Sequence, residues 1–427
     1  MNNPYRWYIL GLGMLTNALV VALQSMCLPV LFKEISVDLG LSLVQIGLVW
    51  GISAVPGIFA GLVGGSLGDR FGPKPILILG CLVVGAAGAL RGTASDFTTL
   101  ILTMSLFGLF SPFIGNSVYK TCGYWFSKKQ MGLASGVLSM GMALGFLIGS
   151  MLSATVLSPV LGGWRNVLFL YGGLAMLLCI PWYFTQTAPS AARAVASLAK
   201  SGTFRTNIAY IASIRNIWLL GLTILGIGGC VQGFLGYLPL YLREIGWSPA
   251  SADGTSAAFH TISMIFVIPI ALLSDRLGTR KRVLVVAGIM IATGVGLLSV
   301  VEGIFIWLAV CLAGMVRDGF MAVFMTSIIE IKEVGADFAG TAMGMVMIFM
   351  GIGSLIAPPI GNSLAAIDPS LPFAFWSFMA LMGLAALFVF KELRESRAIV
   401  DAVFGKSPEQ KLDTGHSHIG QDCRTNC

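Results

Sequence analysis

Gly65-Ser66-Leu67-Gly68-Asp69-Arg70-Phe71-Gly72-Pro73-Lys74 recurs, 206 residues later, as Ala271-Leu272-Leu273-Ser274-Asp275-Arg276-Leu277-Gly278-Thr279-Arg280. Each copy is a short charged turn at the end of a long apolar run. Two further echoes keep nearly the same offset. Leu28-Pro-Val-Leu-Phe-Lys-Glu-Ile35 returns as Leu238-Pro-Leu-Tyr-Leu-Arg-Glu-Ile245, and Gly132, Gly136 and Gly145 return as Gly340, Gly344 and Gly353. Three matches in one order make the chain a duplication, with one unit in residues 1–186 and its copy in 216–391.

What is duplicated is a set of membrane helices. Of the 427 residues, 56% are hydrophobic and 11% charged, and the mean hydropathy is +0.87. A soluble domain carries about 25% charged residues. A bilayer core of about 30 Å takes about 20 apolar residues per helix. Runs of that length fall near 7–31, 43–67, 75–92, 97–119, 131–156, 166–185, 216–241, 255–273, 283–301, 304–329, 339–363 and 371–390. The expected fold is therefore all-α and integral to the membrane, with twelve transmembrane helices in two pseudo-symmetric halves of six. The 53 glycines suit helices that approach closely without water to drive them together. The first run is longer than a signal-peptide core and reads as a retained helix.

Of the 26 Lys and Arg, 21 fall in segments on the side of the N-terminus, and Lys33, Arg91, Arg165 and Arg243 fall on the other. Positive residues accumulate in cytoplasmic loops. Both termini are thus expected in the cytoplasm, across the cytoplasmic (inner) membrane. The same bias accounts for the net charge of +7 without a nucleic-acid partner. Residues 187–215, rich in Ala, Ser and basic residues, read as a cytoplasmic linker, and 392–427 as a disordered cytoplasmic tail. His416, His418, Cys423 and Cys427 fit no standard zinc spacing, so no metal or cofactor is expected.

With its echo, the 65–74 segment resembles the most diagnostic loop of the major facilitator superfamily. The second copy is the weaker, with Ala271 where the first has Gly65. Tyr124-Trp125-Phe126-Ser-Lys-Lys leading into Gly132-Leu-Ala-Ser-Gly136 is similar to the organic-anion branch, which includes oxalate/formate and monocarboxylate transporters. That resemblance covers about residues 7–391. It implies a substrate site between the halves, lined by spans one, four, seven and ten, with the halves rocking to expose it alternately. Phe146 and Ser150 stand where the drug-antiporter pattern has Pro and Gly, and Met104 stands where a span-four arginine is common. Both departures weigh against drug/proton exchange. Arginines within spans two and eight, which the nitrate branch keeps, are absent here.

The candidate gate comprises Gly65, Asp69, Arg70, Gly72, Lys74, Asp275, Arg276, Gly278 and Arg280. An Asp at a helix C-terminus opposes the dipole and should seek cationic partners. Contacts of that kind can exist in one rocking state and break in the other, although Arg70 and Lys74 also serve simply to fix topology. Arg317 and Asp318 lie halfway along span ten, where each ionised group costs about 3 kcal/mol or more. They should face protein or a water-filled cavity. Neighbouring helical residues point about 100° apart, so no simple face-to-face pair is expected. An Arg fork suits a carboxylate, and Asp318 is a candidate proton carrier; an ion pair pinning span ten to its neighbours is the structural alternative. The matching first-half positions are Ser111 and Pro112, so the charge reads as one-sided. Asn17 and Gln24 on span one, Asn116 and Tyr119 on span four, Gln232 on span seven and His260 on span eight complete the polar candidates.

These features point to a secondary transporter of a small anionic substrate, a carboxylate, with protons or a counter-anion as the coupled species and a monomer in the bilayer. Proton-coupled efflux of amphipathic drugs is the alternative. For a membrane enzyme or receptor there is no catalytic constellation and no nucleotide-binding loop in the sequence.

Overall fold

The computed structural model describes residues 4–58, 60, 72–126, 130–186, 204–334 and 338–390. Their secondary structure is helical, in twelve helices at the twelve apolar runs: α1 (Tyr5–Leu39), α2 (Leu43–Ile58), α3 (Pro73–Thr93), α4 (Phe97–Trp125), α5 (Met131–Leu161), α6 (Trp164–Phe184), α7 (Arg215–Glu244), α8 (Pro249–Leu277), α9 (Arg280–Leu297), α10 (Ile304–Ile329), α11 (Ala339–Leu364) and α12 (Leu371–Val389). Ten are long and apolar enough to cross a membrane. The other two are α2, described without a break only as far as Ile58, and α9, whose first turn carries Arg280, Lys281 and Arg282. A short helix, Phe204–Ala212, precedes α7.

Local signals set the helix ends. Ser42 and Gln45 form a reciprocal capping box, as do Asp96 and Thr99. The Thr99 backbone N–H holds the Asp96 carboxyl below its ordinary pKa. Lys281 donates to the Phe388 and Phe390 carbonyls at 2.9 and 2.7 Å, meeting unpaired acceptors where α12 ends.

Within the first half α3 packs against α4 and α6, and α1 against α5; within the second, α7 packs against α11 and α12, and α9 against α10 and α12. The duplication is visible in the contacts. A Cβ on Gly145 of α5 would lie 2.4 Å from the Ala18 carbonyl of α1, and one on Gly353 of α11 would lie 2.4 Å from the Leu225 carbonyl of α7. Each glycine lets its helix lie directly on the backbone of the partner, the small-residue contact expected without a hydrophobic drive between helices.

The halves meet where α2 packs on α11 and α5 on α8. Hydrogen bonds join them at the end far from Tyr5: Thr155 Oγ1 to Asp253 Oδ2 at 2.6 Å, Arg243 Nη1 to the Val30 carbonyl at 2.7 Å, and Asn362 Nδ2 to the Leu43 carbonyl at 2.8 Å. Thr155 lies in a π-helical stretch of α5, Ser153–Leu157. Outward faces stay apolar, with Leu102, Leu177, Ile268 and Leu308 each about 60% exposed. Such a surface needs lipid around it.

Candidate functional site

Between the halves lies a cavity of about 270 Å³. Its walls come from both: Val21, Ser25, Trp50 and Phe146 on one side, and Val231, Gln232, Phe320 and Met350 on the other. Most of the lining is apolar. Among the described residues, the charged ones lining it are Arg91 and Arg317.

Arg317 reaches the cavity from the middle of α10. Its Nη1 donates to Asp318 Oδ1, and the Asp318 backbone N–H donates to Ser263 Oγ of α8 at 3.0 Å. The expectation that adjacent helical residues would not pair directly is therefore corrected. The long arginine side chain bends along the helix far enough to bring its fork to the neighbouring carboxylate, so the 100° between their Cβ directions does not separate them. About a quarter of each side chain is exposed.

Arg91 is the residue that sequence reading misplaced. Counted there among the loop cations, it is fully buried at the end of α3. A 3₁₀ turn, Arg91–Thr93, directs the side chain inward. Nε donates to the Gly88 carbonyl at 3.1 Å, Nη1 to the Gln24 carbonyl at 2.9 Å and Nη2 to Gln24 Oε1 at 3.2 Å. The guanidinium carbon stands 4.3 Å from the centre of the Phe107 ring. Its Nη1 also lies 4.0 Å from Met104 Sδ, at the very position where span four lacks an arginine. No carboxylate pairs with it among the described residues. The charge is thus two-sided, with α3 supplying in the first half what Ser111 and Pro112 of α4 do not.

The other candidates scatter. Gln24 is buried behind the cavity wall, holding Arg91. Gln232 lines the cavity, and its backbone carbonyl accepts from Trp50 Nε1 at 2.7 Å across the halves. Asn17 is buried against α5, its Nδ2 3.4 Å from the Leu138 carbonyl. Asn116 is exposed, and the Tyr119 hydroxyl is 3.4 Å from Ser139 Oγ; neither lines the cavity. His260 is buried between Phe146 and Phe259, ring centres 4.9 and 5.3 Å away, and neither of its nitrogens has a hydrogen-bond partner.

Of the candidate gate, Gly65, Asp69 and Arg70 lie outside the described residues. Gly72, at φ 76°, precedes α3, and Lys74 Nζ is 5.9 Å from the Tyr183 ring centre. In the second copy Gly278, at φ 67°, ends α8; Arg276 is exposed; and Arg280 bonds Asp275 at 2.5 Å and Glu330 at 3.1 Å. Asp275 thus has the cationic partner that its helix-end position calls for. Because Asp275 is largely exposed, Asp275→Asn should lower stability by less than about 1 kcal/mol. Thermal melts of the purified protein check this, and a loss several times larger would mean the pair is not a surface bond.

A multi-pass helical bundle with a cavity between duplicated halves defines a membrane transporter. The sequence profile of the Major Facilitator Superfamily matches residues 14–332 and 256–413, and the chain belongs to that superfamily. It is 24% identical over 375 residues to the probable sulfoacetate transporter SauU of Cupriavidus necator, covering 82% of this chain and 85% of SauU. It is also 24% identical over 393 residues to the multidrug resistance protein MdtH of Yersinia enterocolitica, covering 88% of this chain and 91% of MdtH. Its fold is similar to that of a mutant of the nucleoside transporter NupG, with a TM-score of 0.74 at 14% identity over 90% of this chain and all of that one.

Proposed function

We propose that this chain is a secondary active transporter of a small organic anion, driven by proton symport or anion exchange. One observation carries the reading: among the described residues, the charged ones lining the cavity between the halves are both arginines. In a mostly apolar cavity a guanidinium attracts an anion more strongly than it would in bulk water. The cationic dye or drug of the alternative reading would meet two guanidiniums there, of which only Arg317 is paired with a carboxylate among the described residues. SauU, named for an anion, is a relative that agrees. MdtH, named for drug resistance, is the observation that keeps efflux as the second reading. The two halves, 1–186 and 216–391, would rock about the cavity, with the linker and both termini in the cytoplasm and the protein a monomer. Closure at the far end, opposite the termini, would then make this the inward-facing member of the cycle.

The test is uptake by proteoliposomes carrying the purified protein, across mono- and dicarboxylates, sulfonates and cationic dyes, with and without a pH gradient. Saturable uptake of an acid supports the reading. Proton-driven movement of cationic dyes alone would replace it with efflux.

A further inference from the structure

We infer that the substrate carries two acidic groups, one held by Arg317 of the second half and the other by Arg91 of the first. This rests on the organic-anion reading and adds a second pole to it. The two guanidiniums differ in how their charge is met. Arg317 has Asp318. Among the described residues Arg91 has neutral partners only: two carbonyls, one amide oxygen, a thioether and an aromatic face. Removing a cation from water this completely, with no counter-charge among the described residues, is costly, and intramembrane charges retained at such cost mark ligand pathways. A topological anchor would point its charge to the interface, as long basic side chains near helix ends do. Arg91 points the other way.

The bonding also leaves room for an acid. A guanidinium has five N–H groups, and three of them serve Gly88 and Gln24. One contact, from Nη2, is to Gln24 Oε1, the end of a buried side chain whose Nε2 donates to the Val20 carbonyl at 3.2 Å. An incoming carboxylate or sulfonate that displaces this amide takes a neutral bond and returns a charge-assisted one. Gln24 is then a placeholder, keeping the site satisfied while empty. A molecule with acids at both ends would touch α3 and α10 together, so binding it would draw the two halves toward each other. A monoacid engages one pole and leaves the other uncompensated.

Paired probes of nearly equal shape test this: succinate against succinamate, and malonate against malonamate, in which one carboxylate becomes an amide. Affinities are read from titrations of the purified protein in nanodiscs. Each diacid should bind at least about tenfold more tightly than its half-amide, the effect of one charge-assisted bond in a buried site. Arg91→Gln should erase that preference by weakening the diacid far more than the half-amide, with a thermal melt of the same preparation showing that the variant is folded. Arg91→Lys should keep part of the preference. Gln24→Ala should preserve or sharpen it. If wild type binds diacid and half-amide equally, and Arg317→Gln weakens both, the second pole is wrong and the organic-anion reading stands. If Arg91→Gln keeps the full diacid preference, the second pole lies elsewhere and the assignment to Arg91 is overturned. Should neither acid nor half-amide bind the wild type, both readings fall together.

Discussion

Arg317→Ala should abolish saturable anion binding, a loss of about 3–5 kcal/mol, or a hundred- to several-thousandfold in affinity. The variant leaves the anion unpaired in a mostly apolar cavity and leaves Asp318 free to repel it. Arg317→Lys should recover only part of the loss. It keeps the charge, but a compact ammonium cannot offer the two parallel N–H groups of a guanidinium, and its shorter reach moves the anion. Asp318→Asn should bind the anion as well as wild type or better, because it frees the Arg317 fork. Accumulation driven by a proton gradient should weaken in that variant only if Asp318 is the group that takes up the proton. A purely structural ion pair gives another pattern. Both single variants would then lower thermal stability, and replacing the two residues together with apolar ones would restore it. Binding and melting measured on the same preparations separate the two, and normal binding by Arg317→Ala would remove the support for an anion site at α10.

The architecture was legible in the sequence because its signals are local. An apolar run of 20 residues is a span wherever it packs, and the 65–74 and 271–280 turns carry their duplication in plain residues. Arg317 and Asp318 were legible too, since no span interior holds ionised groups without a cavity or a partner to receive them. Arg91 was not. An arginine at the end of a span reads as an anchor in any hydropathy profile. What separates it from Arg165, which is half-exposed and bonds Asp38, is a single 3₁₀ turn and the presence of Gln24, 67 residues earlier, to receive it. The direct Arg317–Asp318 bond escaped for a related reason. Helical geometry fixes where Cβ points, while the end of an arginine lies several rotatable bonds further on. Nor does the spacing of spans one and four tell which polar side chains reach the cavity: Asn17 turns to α5 and Asn116 to the surface.

The far end offers the second large effect, because its closure rests on backbone contacts that cannot yield. A Cβ on Gly51 of α2 would lie 2.6 Å from the Ser354 carbonyl oxygen and 2.9 Å from Leu355 Cα. One on Gly47 would lie 2.7 Å from backbone atoms of Pro358 and Pro359. Real Cβ atoms do not come that near, and backbone on both sides leaves no rotamer to move aside. Gly51→Leu should therefore push α2 away from α11 and release the bonds that cross there, from Asn362 to the Leu43 carbonyl and from Trp50 to the Gln232 carbonyl. Under alternating access a protein that cannot close this end cannot complete a cycle. Transport should fall about a hundredfold or more, while substrate affinity changes only as far as the population of the binding-competent state changes. Spin labels at Val44 and Ile360, both exposed, report the far end directly; in Gly51→Leu their separation should lengthen and stay long when substrate is added. Gly173→Ala on α6, where nothing lies within 4 Å of the new methyl group, is the control and should leave transport and distance unchanged. Wild-type transport by Gly51→Leu at an unaltered label distance would show that α2 and α11 need not approach this closely in the working cycle. Transport lost with the label distance unaltered would place the defect elsewhere than in closure.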